Sequence, residues 1–176
     1  MIFCWNLSAD KKHKRKGRLV IFGLDLSKTI FASSQLTTEK PVLIVMDYAF
    51  GEQAFETIDE LLKPYKEENK DKVFLNVESA SIMGKAGILQ GGKGDIMIPS
   101  AHVNEGTADN YPFENELTKE MFEGNDIPVF AGPMITVLGT SLQNRDLLKF
   151  FHESTWLAIG LEMEGAYYQK AIQSAS

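Results

Sequence analysis

Leu157-Ala158-Ile159-Gly160-Leu161-Glu162-Met163-Glu164-Gly165-Ala166 is the stretch on which the fold turns. Leu157 to Leu161 is apolar without alternation, the pattern of a strand covered on both faces in a parallel sheet. Two carboxylates follow, one on each side of Met163, and from Met163 to Ile172 alanine, tyrosine and glutamine recur at helical spacing. A buried strand that feeds directly into a helix is the repeating unit of an α/β sheet.

Working outward, Pro128–Gly139 predicts a strand interrupted by Gly132-Pro133, and Ser141–His152 predicts a helix with Ser141 as its N-cap. Asp95–Pro99 predicts a further strand. Pro41 opens the run Val42–Met46 (VLIVM), expected at the centre of the sheet. Asp47-Tyr48-Ala49-Phe50-Gly51 leads from it into a helix marked by Ala54, Phe55, Ile58, Leu61 and Leu62 and ended by Pro64. Val73–Val77 (VFLNV) then predicts a second parallel strand after a right-handed crossover. Arg18–Phe22 and Thr29–Ala32 read as a small hairpin, and Ser33–Lys40 as loop. Ser81–Gly94, with five glycines, reads as a flexible binding loop. Ala101–Asn115 is polar and turn-rich, and Glu116–Phe122 forms a short helix in this reading. The fold class that follows is α/β, a three-layer αβα arrangement around a mixed, largely parallel sheet.

A chain of 176 residues suits one hydrophobic core. With 44% hydrophobic and 24% charged residues it has the composition of a chain that folds. Net charge is −6, yet Lys11, Lys12, Lys14, Arg15, Lys16 and Arg18 cluster, so residues 1–17 read as a basic, flexible tail ahead of a domain at 18–176. An acidic body argues against nucleic acid as partner. Cys4 is the single cysteine, which excludes an internal disulfide and a cysteine zinc site and fits a cytoplasmic setting. No apolar run reaches the roughly 18 residues of a membrane span, so no membrane partner is expected.

Three segments, in order, resemble the nucleoside phosphorylase and nucleosidase superfamily. Met46–Leu62 is a strand, a glycine-containing turn at Gly51 and a helix. Val73–Pro99 contains Gly84-Lys85-Ala86-Gly87 followed by Gly94-Asp95-Ile96-Met97, similar to a G-x-A-G loop paired with a G-D-hydrophobic strand. Glu162-Met163-Glu164-Gly165-Ala166 resembles the family's E-M-E-G-A signature. The resemblance implies that Glu164 accepts hydrogen bonds from two ribose hydroxyls and that Met163 packs on the sugar. A carboxylate suits that task because its two oxygens accept from vicinal hydroxyls together. It also implies Glu162, Gly51, Gly84 and Lys85 near the sugar or an anion, and Thr140 and Ser141, in ITVLGTS (Ile135–Ser141), on the nucleobase side.

Other residues read as structural. Glu162 and Glu164 alone are ordinary acids at a helix N-terminus, and Met163 alone is a core filler. Arg145 reads as a solvated helix residue, and His102 as a structural histidine with no metal-ligand spacing to His13 or His152. Asp109-Asn110-Tyr111 reads as a turn or a ligand-contacting loop. The glycines match neither a Walker loop nor G-x-G-x-x-G, so triphosphate and dinucleotide sites rank low.

The resemblance implies cleavage of the N-glycosidic bond of a nucleoside, a purine nucleoside first, by water or with phosphate as co-substrate, with no cofactor and no metal. It implies a small-molecule nucleoside partner and a homo-oligomer, dimer or hexamer, with Tyr167 or Phe113 at the interface. The family's acid, which protonates the departing base, lies on a strand after the E-M-E-G-A helix. The chain is therefore expected to be truncated at its C-terminus and atypical at its N-terminus. The alternative expectations are a non-catalytic nucleoside-binding or interaction protein, or an inactive fragment.

Overall fold

The computed structural model describes residues 2–8, 19–23, 42–46, 49–66, 68, 71–75, 77–107, 109–154 and 156–175. Its elements are β1 (Ile2–Ser8), β2 (Leu19–Gly23), β3 (Val42–Met46), α1 (Glu52–Leu62), β4 (Val77–Lys85), β5 (Gly87–Ile88), β6 (Ile96–Asn104), β7 (Asn110–Pro112), β8 (Val129–Thr136), α2 (Arg145–Glu153), β9 (Gly160–Glu162) and α3 (Gly165–Ala175). The strands form one sheet in the order β3-β2-β4-β1-β6-β8-β9-β5, with β7 added alongside β6. Neighbours run parallel except at β1–β4, β5–β9 and β6–β7. The fold is thus α/β with a mixed, mostly parallel sheet. None of the described helices is long and apolar enough to cross a membrane.

The layers are legible at two adjacent residues of β8. Met134 joins Ala54 and Ile58 of α1 and Tyr168 and Ala171 of α3 in one apolar cluster. Ile135 joins Phe151 of α2 in another, with Val137, Ala158 and Leu161. Successive strand residues point to opposite faces, so α1 and α3 cover one side of the sheet and α2 the other. Both Met134 and Ile135 are fully buried, which is why this strand reads as continuous apolar sequence.

The sheet is strongly curled. β5 follows β4 after the single residue Ala86, yet stands five places away in the strand order. A flat sheet would separate them by about 24 Å at the usual strand spacing, whereas two peptide units span at most about 7 Å. The β5 edge must therefore come round to the end of β4, as in a barrel.

Several expectations need correction. Val42–Met46 is the outermost strand in the order, not the central one; β3 pairs with β2. An unbroken apolar run reports cover on both faces and says nothing of position in the sheet. Val73–Val77 does not form the next strand. Val73 makes an isolated bridge to Tyr65, and Val73, Phe74 and Leu75 are half exposed. The strand starts at Val77 instead and runs to Lys85, through the stretch expected as flexible loop. The glycine-rich turn is shorter, and within it Gly91 and Gly94 hold positive φ.

β6 also continues past its expected end at Pro99. Ser100 is an extra residue, since Pro99 pairs with Gly132 and Ala101 with Pro133, and this bulge accommodates a residue that has no N–H to donate. Ala101–Asn104, expected as turn-rich polar chain, completes the strand with Ala101, His102 and Val103 buried. Glu116–Phe122 is reduced to a 3-10 turn at Lys119–Phe122. Ser141 does not cap α2: it opens a separate 3-10 turn, and Asn144 Oδ1 accepts from Asp146 N (3.0 Å) and Leu147 N (3.2 Å). Ile2–Ser8, assigned by sequence to a flexible tail, is a strand between β4 and β6. The rest of 1–17 and the hairpin partner Thr29–Ala32 lie outside the described residues.

Candidate functional site

The β8, β9 and β6 strands end side by side, with Thr136 paired to both Asn104 and Glu162. That register brings three polar side chains together beneath the first turn of α3. His102, Thr136 and Glu162 are each at most 3% exposed. His102 Nδ1 lies 3.1 Å from Glu162 Oε1, and Thr136 Oγ1 donates to the same oxygen. Glu162 Oε2 accepts the backbone N–H of Glu164 at 2.6 Å and that of Gly165 as well. Thr136 Oγ1 in turn accepts Ala166 N at 2.8 Å.

The first N–H groups of a helix have no partner within it. Here Glu162 and Thr136 supply acceptors for three of them, and the Glu162 charge stands at the positive end of the α3 dipole. A carboxylate offers about four lone pairs. Those of Glu162 are taken up by His102, Thr136, Glu164 N and Gly165 N. Gly165 is there because a Cβ at that position would collide with the His102 ring and Glu162 Oε1. Glycine in the E-M-E-G-A stretch is thus a matter of space.

Glu164 has a different setting. Its carbonyl starts α3, accepting from Tyr167 N and Tyr168 N. Its side chain is buried, and Oε1 lies 3.4 Å from the amide of Gly51, across from α3 at the entry to α1. Gly51 holds φ 56°, ψ −126°, a conformation that glycine adopts without penalty, and α1 has no side-chain cap there. Phe50, beside it, is 64% exposed. Tyr168 stands close by: its hydroxyl is pushed up to about 12, by burial above all and by the charges of Glu164 and Glu162, while a backbone hydrogen bond with Ala49 pulls the other way.

Of the residues singled out by sequence, Glu162, Glu164 and Gly51 are therefore gathered at one place. Met163 points the other way, against the α2-side cluster, with its terminal methyl close to Gly139. That contact brings it to the turn carrying Thr140, which is exposed, and Ser141, whose hydroxyl donates to Glu105 Oε1 at 2.7 Å. Glu105 Oε2 accepts Leu138 N at 2.9 Å, so one carboxylate holds this turn at both ends. Gly84 and Lys85 end β4, with the Lys85 side chain exposed; Gly87 beyond them pairs with Leu161, next to Glu162.

The sequence alone does not reveal Thr136 and Glu105, and gives His102 no partner. His102 and Thr136 stand 60 and 26 residues from Glu162, and a lone polar residue in a strand carries no signal of what it faces. Phe113, considered for an interface, stacks on His102 with ring centroids 5.5 Å apart and planes 6° from parallel. Tyr167 packs against the same apolar cluster as α1. Arg145 and His152 are exposed on α2, and His13 lies outside the described residues. Asp109 accepts from Thr107 Oγ1 at 2.8 Å in a local turn, and Asn110 and Tyr111 enter β7. Among the described residues no group of three or more His, Cys, Asp or Glu is placed to hold a metal ion.

Residues 17–176 match a family described as a family of unknown function, DUF6909. Among solved structures the chain is similar to a futalosine hydrolase mutant of Helicobacter pylori strain 26695. The identity is 12% and the TM-score 0.44, over 93% of this chain and 86% of that one. No curated protein matches it in sequence.

Proposed function

The chain belongs to DUF6909, a family of unknown function, and from its site we propose that it is a nucleoside-binding domain of the nucleosidase and phosphorylase kind, in which Glu164 accepts the ribose hydroxyls. The observation that carries this is the division of labour between two neighbouring carboxylates. Glu162 is engaged by donors from the protein that hold the first turn of α3, while Glu164, two residues on, is buried toward the Gly51 turn, its Oε1 3.4 Å from the Gly51 amide. A buried carboxylate beside a glycine turn with open space around it suits a pair of vicinal hydroxyls, which donate to both of its oxygens.

The chemistry such binding serves is cleavage of the N-glycosidic bond. Positive charge develops on the ribose as the bond to the base breaks, and a carboxylate at the sugar stabilises that state more than the ground state. Water adds at C1′ in a nucleosidase and phosphate in a phosphorylase, and the base leaves with a proton. A purine nucleoside is the first choice of substrate, and the exposed Phe50 and Leu138 flank the turns where a base would lie.

A second reading is binding without turnover. It is favoured by the way Glu162, His102 and Glu105 are all occupied by protein partners, so that none is positioned as the acid for the departing base. One experiment separates the two: release of free base from adenosine, inosine and uridine, with and without phosphate, alongside the melting shift each produces. Base release abolished by Glu164→Ala supports cleavage, and a melting shift without release supports binding alone. No shift and no release with any of the three overturns both.

A further inference from the structure

We propose that His102, backed by Phe113, is a positioning residue for Glu164, a role that rests on the reading of Glu164 as the ribose carboxylate. The path is short, and buried from His102 onward. Phe113 stacks flat on the imidazole, with planes 6° apart. The imidazole meets Glu162 Oε1 at 3.1 Å, and Glu162 Oε2 holds the backbone N–H of Glu164 at 2.6 Å. A carboxylate is an acceptor, so Nδ1 is the nitrogen that carries the proton toward it.

Each link limits the next. The stack fixes the plane of the ring, and the ring fixes which way the Glu162 carboxylate turns. That carboxylate fixes the peptide of Glu164 and so the direction in which the Glu164 side chain leaves the chain. The close approach of Gly165 to the ring shows how little slack there is: a single added carbon would collide with His102. Phe113 comes from the residue after β7, and its own N–H is anchored on Ser100 O at 3.1 Å, at the β6 bulge. The bulge and the short strand β7 thus together seat an aromatic ring against the histidine. Positioning of this kind is what an interaction with two hydroxyls requires, because each hydrogen bond weakens steeply once its distance and angle leave the favoured range.

The test reads discrimination between ribose and 2′-deoxyribose, which a merely structural role would leave intact. Affinities of adenosine, inosine and uridine, and of their 2′-deoxy counterparts, are measured by titration calorimetry on the full chain. The unsubstituted protein is expected to prefer the ribose form about 10-fold or more, the worth of a hydrogen bond to a charged group. His102→Leu is expected to reduce that preference to below about 3-fold, and His102→Asn, whose amide offers a donor near the Nδ1 position, to keep most of it. Should the His102→Leu protein fail to fold, Phe113→Leu replaces it, with a roughly threefold loss of preference expected. Unchanged preference in the folded His102→Leu or Phe113→Leu protein overturns the positioning role while leaving the nucleoside reading standing. If the unsubstituted protein binds no nucleoside, or binds both sugar forms equally, the nucleoside reading falls and this role falls with it.

Discussion

The junction between β9 and α3 and the segment leading into β4 are opposites. At the junction the sequence is acidic, Glu162-Met163-Glu164, and yet both glutamates are 3% exposed. Ahead of β4 the sequence is apolar, Val73-Phe74-Leu75, and yet those side chains are 50 to 56% exposed. The difference lies in partners. Burial of a charged group is tolerated when its hydrogen bonds are met inside the protein, and Glu162 has four donors within reach. An apolar side chain, by contrast, enters a core only where a strand or a packed helix carries it against other apolar groups. Val73 has a single bridge to Tyr65 and nothing more regular.

The largest effect expected from this contrast is at Glu162. Glu162→Ala leaves His102, Thr136 and two helix N–H groups buried without their acceptor, and should lower stability by about 3–5 kcal/mol, the scale of breaking a buried pair. Chemical denaturation measures it, and a loss under 1 kcal/mol would show that the network is not structural. Gly165→Ala comes next. The added methyl must displace the His102 ring, and overpacking of this kind costs about 1–3 kcal/mol, read as a lower denaturation midpoint at unchanged slope. At the other end of the scale, Phe74→Ser should change stability by no more than about 0.5 kcal/mol. A loss near 2 kcal/mol would mean that the exposed apolar segment is covered in solution, and the contrast would then be smaller than it looks.

The sequence was legible where periodicity and burial agree. Pro128–Gly139 and Leu157–Leu161 are expected as strands, and the strands found are Val129–Thr136 and Gly160–Glu162, where every side chain from Met134 to Thr136 and from Gly160 to Glu162 is buried; Leu157, 68% exposed with φ 49°, lies outside the strand. Helix α1 was legible from Ala54 and Ile58, its two fully buried residues, at four-residue spacing. The E-M-E-G-A stretch marks the junction at the start of α3 but does not say which of its glutamates holds the helix N–H groups. That assignment depends on His102 and Thr136, which reach it through strand pairing alone, so no local pattern announces them. The run VFLNV misled for the complementary reason: β propensity reports what a segment tolerates, and sheet position decides what it becomes. Pro99 misled because a bulge at Ser100, invisible to pattern, lets a strand pass through a residue that ordinarily ends one.

The curl that brings β5 round to the end of β4 also governs how such a chain finds its structure. The pairings that close it join segments remote in sequence: Ile2 with Lys85 and Ile96, Gly87 with Leu161. Each such closure spends chain entropy before any contact offsets it, so a fold of this topology belongs with the slow folders. β5 has only two residues, Gly87 and Ile88, and is continued by Leu89 N and Gln90 N, which both donate to Ile159 O, so the curl is fastened by a short clasp where thermal opening of the sheet is expected to begin.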